Sequence, residues 1–129
     1  MEKSKINLSD AEWNVMECLW EKSPRTGRET IDLLKERMGW SRSTTLTLLR
    51  RVEEKGAVKS ETVDGCKVFY PTISRESAAQ QETENFLGKV YKGSLGMMLT
   101  AFTTKQTLSK SEIDQLYAIL KEAEAKNND

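Results

Sequence analysis

The side chains of this chain best suited to chemistry are hydroxyls and guanidinium groups gathered on one stretch, Ser41 to Gly56, which reads SRSTTLTLLRRVEEKG. At 100° per residue, Thr45, Leu48, Leu49 and Val52 fall on one side of a helix and Ser43, Thr47 and Arg50 fall opposite. One side packs, and the other offers hydrogen bonds and positive charge. Arg42, Arg50 and Arg51 are the only charges between Ser41 and Val52, so the stretch is basic within a chain whose 20 Lys and Arg balance 20 Asp and Glu. Small hydroxyls flanked by arginines suit the base edges and phosphates of duplex DNA, as a recognition helix presents them. Ser43, Thr44 and Thr47 are placed to reach bases, with Leu46 to meet a thymine methyl. Arg42, Arg50 and Arg51 would hold phosphates, as would the Ser41 end, where free backbone N–H groups suit an anion.

What the chain lacks narrows the alternatives. It has no histidine and only two cysteines, Cys18 and Cys66. Cys/His zinc sites, Ser-His-Asp triads and Cys-His dyads are therefore excluded, and no glycine-rich phosphate loop is present. An enzyme would have to rest on scattered carboxylates such as Glu53-Glu54, which read better as a solvated helix end. Cys18 reads as a packed helical cysteine and Met97-Met98 as helix packing, so no cofactor and no metal is implied. A net charge of zero argues against a bulk nucleic-acid coat and leaves room for a compact basic patch. The 37% hydrophobic content is low for a self-sufficient core in 129 residues, so a partner chain is expected to complete some apolar surface. No apolar run approaches the roughly 20 residues of a bilayer span and no signal peptide opens the chain, which points to a soluble cytoplasmic protein without membrane insertion.

The flanking segments must position that helix. Residues 1–7 are polar and read as loose chain. Ser9 with Glu12 forms a capping box that opens a helix through Trp13, Val15, Met16, Leu19 and Trp20, ending near Ser23-Pro24. Thr26 with Glu29 repeats the pattern and opens a second helix through Ile31, Leu33, Leu34 and Met38 to Gly39. Trp40 and the cap Ser41 follow at once, the tight corner of a helix-turn-helix, and Gly56 stands where a left-handed stop is wanted. Ala57 to Val63 and Cys66 to Thr72 are strand-like runs joined by Asp64-Gly65, a two-residue hairpin signal. Lys59 and Lys67 lie on this wing within reach of flanking phosphates.

Ser74 begins a second region of helices separated from the first by a polar stretch to Glu84. Phe86, Leu87, Val90 and Tyr91 form a stripe. Leu95, Met97, Met98, Leu99 and Phe102 make a short helix apolar nearly all round, too hydrophobic for a monomer's surface. Ser109 with Glu112 is a third capping box, with Ile113 placed to staple onto Leu108, and a last helix carries Ile113, Leu116, Ile119 and Leu120 before a polar tail from Glu122. Three helices with so little apolar matter fit a dimerisation unit, and a two-fold dimer suits a palindromic DNA site. The fold class expected is mainly α with a small β-hairpin wing: a winged helix-turn-helix domain over 1–73 and a helical dimerisation region over 74–129.

Set in order, these motifs resemble the penicillinase and methicillin-resistance repressors, the BlaI/MecI family. AEWNVMECLW at 11–20, Trp40-Ser41 with Thr44 and Thr47, Lys55-Gly56, the wing, Lys89-Val90-Tyr91-Lys92-Gly93, and Leu108-Ser109 with Glu112-Ile113 carry the resemblance over almost the whole chain. It implies a repressor that binds operator DNA as a homodimer, controls β-lactam resistance or a related stress response, and is inactivated by a protease linked to a membrane sensor. Relatives cut in the helix before the last carry Asn-Phe at the bond, and the matching position here is Ala101-Phe102. Leu46 stands where penicillinase-type repressors can carry arginine. The copper-responsive branch carries carboxy-terminal Cys-x-Cys pairs, and this chain has no cysteine after Cys66. Two other readings stay open at this point: a winged helix that binds protein, and a repressor released by a ligand without cleavage.

Overall fold

Reciprocal side-chain caps start the helices where the sequence places them. In this computed structural model, which describes residues 6–127, Ser9 Oγ accepts from the Glu12 amide at 3.1 Å and Glu12 Oε1 from the Ser9 amide at 2.8 Å. They open α1, Asp10–Glu21. Thr26 and Glu29 exchange the same bonds at 3.0 and 2.8 Å and open α2, Gly27–Met38. Gly39, at φ +72°, is left-handed as glycine permits, and it turns the chain into Ser41, the N-cap of α3, Arg42–Glu54. The expectation for residues 1–5 lies outside the described residues.

The hairpin pairs β2, Val58–Val63, with β3, Cys66–Pro71, across Asp64 and Gly65. Both turn residues have positive φ, as a type I′ turn requires. A further strand completes the sheet. β1, Arg25–Thr26, pairs antiparallel with β3, giving the order β1-β3-β2. Two residues show no alternation, so only the partner strand creates this element.

The core is built where these elements converge. Val15, Met16, Cys18 and Leu19 of α1 are fully buried, and they cluster with Leu34 of α2, Leu48, Leu49 and Val52 of α3, and Ala57, Val58 and Phe69 of the hairpin. Each Val, Leu, Met or Phe among them contributes about 1.5–3 kcal/mol by leaving water. Trp40 packs against the edge of this cluster, and Trp20 sends its indole N–H to the Ile73 carbonyl at 2.9 Å.

Helix α4, Arg75–Tyr91, begins within this first compact unit, which extends to Asn85. Arg75 forks onto Glu17 at 2.9 and 3.0 Å above the Trp13 ring, Ala78 is buried, and Asn85 bonds Asn7 at 2.9 Å. The polar stretch from Ser74 to Glu84 is therefore largely helix anchored to α1, and the compact units divide after Asn85 rather than after residue 73.

The second unit, from Phe86 on, holds the end of α4 with α5, Leu95–Lys105, and α6, Lys110–Asn127. Ser109 and Glu112 cap α6 as expected, at 3.1 and 3.0 Å. The tail from Glu122, expected as a polar end, continues as helix to Asn127, because Glu, Ala and Lys favour helix without burial. No helix of the described residues is long and apolar enough to cross a membrane.

Two buried polar groups in the first unit give opposite expectations. Glu12 takes Lys55 Nζ at 2.6 Å, and the same ammonium bonds the Asn7 carbonyl at 2.6 Å. Burial raises the Glu12 pKa, but the hydrogen bonds from Lys55 and Ser9 and the Lys55 charge outweigh it and hold the carboxyl below its usual 4.5. A depressed native pKa adds stability that is complete above the unfolded value and is lost as pH falls through the native one. Glu12→Gln is expected to lose about 1–3 kcal/mol at neutral pH. Its melting temperature should then fall less steeply than that of the parent as pH drops below the carboxylate range, as read by thermal circular dichroism. Thr45 is fully buried and its hydroxyl has no partner among the described residues. Thr45→Val keeps the shape and removes the orphan, so it should raise stability by about 1 kcal/mol in urea unfolding; a loss would show that the hydroxyl is satisfied.

Candidate nucleic-acid interface

The inward face of α3 is Thr45, Leu48, Leu49 and Val52, all buried, as the helical spacing expects. Its outward face carries Ser41, Arg42, Ser43, Thr44, Leu46 and Arg50, all exposed, with Thr47 half-buried between them. Leu46 is 41% exposed, an apolar side chain held in water beside the hydroxyls. At the start of the helix, Ser41 Oγ accepts from the Thr44 amide at 3.2 Å and lies 3.1 Å from Ser43 Oγ and 3.0 Å from Thr44 Oγ1. This cluster of hydroxyls sits over backbone N–H groups that carry the positive end of the helix dipole. An open groove of about 320 Å³ runs along this side, lined by Ala11, Trp40, Ser43, Thr44, Thr47, Leu48 and Arg51.

The cations are largely free. Arg42, Arg51 and Lys59 make no ion pair among the described residues. Arg50 lies 3.9 Å from Glu54 and Lys67 lies 4.0 Å from Glu53, loose exposed pairs of the kind worth little in water. The strand register separates the two wing lysines. Lys67 opposes Thr62 and shares a hairpin face with Ser60 and Phe69, whereas Lys59 opposes Tyr70 on the other face. Arg50 and Lys67 meet with Leu46, Glu53 and Phe69 around a cleft of about 340 Å³, and Lys59 is not part of it. Cys18 is buried in the core, and that burial pushes its thiol pKa up and keeps it unreactive.

Lys55 has a structural role that sequence spacing does not disclose. It belongs to the Lys55-Gly56 stop, yet its ammonium ties the end of α3 to Glu12, a partner 43 residues away.

In the second unit, none of the apolar residues expected to dimerise is fully buried. Phe86, Val90, Leu95, Phe102, Ile113 and Leu120 are 40–55% exposed, and Leu87, Tyr91, Met98, Leu99 and Leu116 are half-buried. Neither α5 nor α6 buries a single residue. Met97, Ile119 and Tyr117 extend this surface, Tyr117 being 68% exposed. Tyr117 lies four residues after Ile113 and three before Leu120, a helical spacing that marks it as a member of the same stripe. Phe86 and Tyr91 pack edge to face at 6.0 Å, bordering a groove of about 350 Å³ with Met98, Ala101 and Phe102. The Ala101-Phe102 bond lies inside α5, with the Phe102 carbonyl bonded to the Gln106 amide at 3.1 Å.

Comparison with known proteins agrees with this geometry. The profile of the penicillinase repressor family matches residues 8–122. The chain is 34% identical over 115 residues to the penicillinase repressor of Bacillus licheniformis, covering 89% of this chain and 90% of that one. It is 29% identical over 120 residues to the methicillin resistance regulatory protein MecI of Staphylococcus aureus (strain N315), covering 93% and 98%. The solution structure of the DNA-binding domain of the repressor BlaI is similar with a TM-score of 0.52 at 32% identity, covering 57% of this chain and 90% of that one. The monomeric form of Bacillus licheniformis BlaI in complex with the blaP half-operator gives 0.52 at 32%, covering 58% and 92%. The first unit is thus a winged helix-turn-helix, and the chain belongs to the penicillinase repressor family.

Proposed function

We propose that this chain is a sequence-specific repressor of transcription that acts as a homodimer on a palindromic operator and controls β-lactam resistance or a related stress response. The observation that carries the reading is the division of α3, whose apolar face is locked in the core while its hydroxyls, Leu46 and arginines face outward, Arg42 and Arg51 without an ion pair among the described residues. The BlaI structure with a half-operator supports DNA as the partner of that face. Ser43, Thr44, Leu46 and Thr47 read bases, and Arg42, Arg50, Arg51, Lys59, Lys67 and the Ser41 end hold phosphates. The apolar surface of α5 and α6 supports pairing with a second copy.

Inactivation by a sensor-linked protease would fall at Ala101-Phe102. A protease takes its substrate extended, so α5 must open first. Its make-up suits that opening: the hydroxyls of Thr100, Thr103 and Thr104 bond back to the carbonyls of Gly96, Leu99 and Thr100 at 2.7–2.8 Å, and such bonds weaken a helix.

The two roles on α3 separate in mobility-shift titrations at several salt concentrations. Arg51→Ala should weaken selected and random duplexes alike and flatten the salt slope by roughly one unit. Thr47→Ala should cost about 1–3 kcal/mol on the selected duplex and leave random DNA untouched. An unchanged sequence preference in Thr47→Ala would remove Thr47 from the base-reading set. Absence of any salt-dependent shift by the parent protein would favour a protein-binding winged helix instead.

A further inference from the structure

The outer half of the wing is tied to α3 by one side chain. Glu53, in the last turn of α3, accepts from Ser60 Oγ on β2 at 2.6 Å with one carboxylate oxygen, and its other oxygen lies 4.0 Å from Lys67 Nζ on β3. Among the described residues, no other hydrogen bond or ion pair joins 59–67 to a helix. Ser60, Lys67 and Phe69 share the hairpin face turned to α3, with the Lys67 ammonium 5.4 Å from the Phe69 ring centre.

The two bonds of Glu53 differ in strength. A hydroxyl on a carboxylate at 2.6 Å is a short charge-assisted hydrogen bond, whereas an ion pair at 4.0 Å with Lys67 60% exposed is at the edge of attraction. Glu53 is held firmly and holds Lys67 loosely. A carboxylate on a DNA-facing surface otherwise only repels phosphate, and here it sits in the cleft that also holds Arg50.

We propose that Glu53 is the positioning residue of the wing: fixed by Ser60, it aims Lys67 at a DNA phosphate beside Arg50 and gives it up when the phosphate arrives. This rests on the DNA-binding reading above. Arg50 and Lys67 then act on one stretch of DNA backbone, whereas Lys59, on the far face of the hairpin, is independent of Glu53.

The test is a coupling measured on random-sequence duplex by fluorescence anisotropy at rising salt. In the parent protein, Lys67→Ala should flatten the salt slope by about one unit, which is roughly three- to fourfold less affinity lost over a fourfold rise in salt. With Ser60→Ala already present, the carboxylate keeps its charge and loses its anchor, and Lys67→Ala should then flatten the slope by less than half as much. Ser60→Thr returns the hydroxyl and should restore the full effect. Glu53→Ala, which removes the anchor from the α3 side, should give the same loss of coupling as Ser60→Ala. Equal flattening by Lys67→Ala in the parent and Ser60→Ala backgrounds would overturn the positioning role. A parent protein with no salt-dependent binding would instead overturn the DNA reading, and this assignment with it.

Discussion

Burial of Thr45, Leu48, Leu49 and Val52 against Val15, Met16 and Leu19 of α1 and Leu34 of α2 fixes the rotation of α3 about its own axis. Turning the helix by one residue would bring Leu46 inward and force a polar or charged neighbour after it. An arginine buried without a partner costs several kcal/mol, more than one leucine returns on burial. The outward set of hydroxyls and arginines is therefore fixed by what must face inward. The Glu12–Lys55 pair adds a second lock at 2.6 Å. It joins the first turn of α1 to Lys55, the residue that caps the end of α3, with a carboxylate at one helix start and an ammonium at the other helix end, where each helix dipole favours it.

The parts of the fold governed by local chemistry were legible in the sequence. Capping boxes at Ser9, Thr26 and Ser109 mark helix starts because the bonds that make them span three residues. Asp64-Gly65 marks the turn because its backbone angles are costly for most other pairs. The two faces of α3 follow from helical period alone. Contacts made at long range were not legible in the same way. β1 exists only because β3 lies beside it, and the tie between Glu12 and Lys55 has no spacing rule. The separation of Lys59 from Lys67 follows from strand register, which fixes faces only once the turn residues are settled. The start of α4, with Arg75 anchored on Glu17, belongs to the first unit, although the polar stretch around it resembles a linker.

A chain of zero net charge can present a basic surface because several of its acidic residues are engaged elsewhere in the fold. Glu12, Glu17 and Glu29 cap helices or bind arginine and lysine within the first unit. Arg42 and Arg51 are left without ion-pair partners among the described residues, so the outward side of α3 keeps positive charge free to meet an anion. The second unit differs in exposing large apolar side chains, among them Phe86, Leu95, Phe102 and Tyr117, between its charged residues. In the proposed homodimer, a second copy joined through α5 and α6 would make the second DNA contact intramolecular, which raises affinity without new chemistry.

Pairing of two α3 helices is tested most directly by selecting bound duplex from a random pool with the full chain. Two inverted half-sites with centres one helical turn, roughly 10 base pairs, or a small multiple of it apart are expected if a two-fold dimer sets two reading faces on one side of the DNA. Recovery of a single asymmetric site, or of no sequence in common, would contradict it.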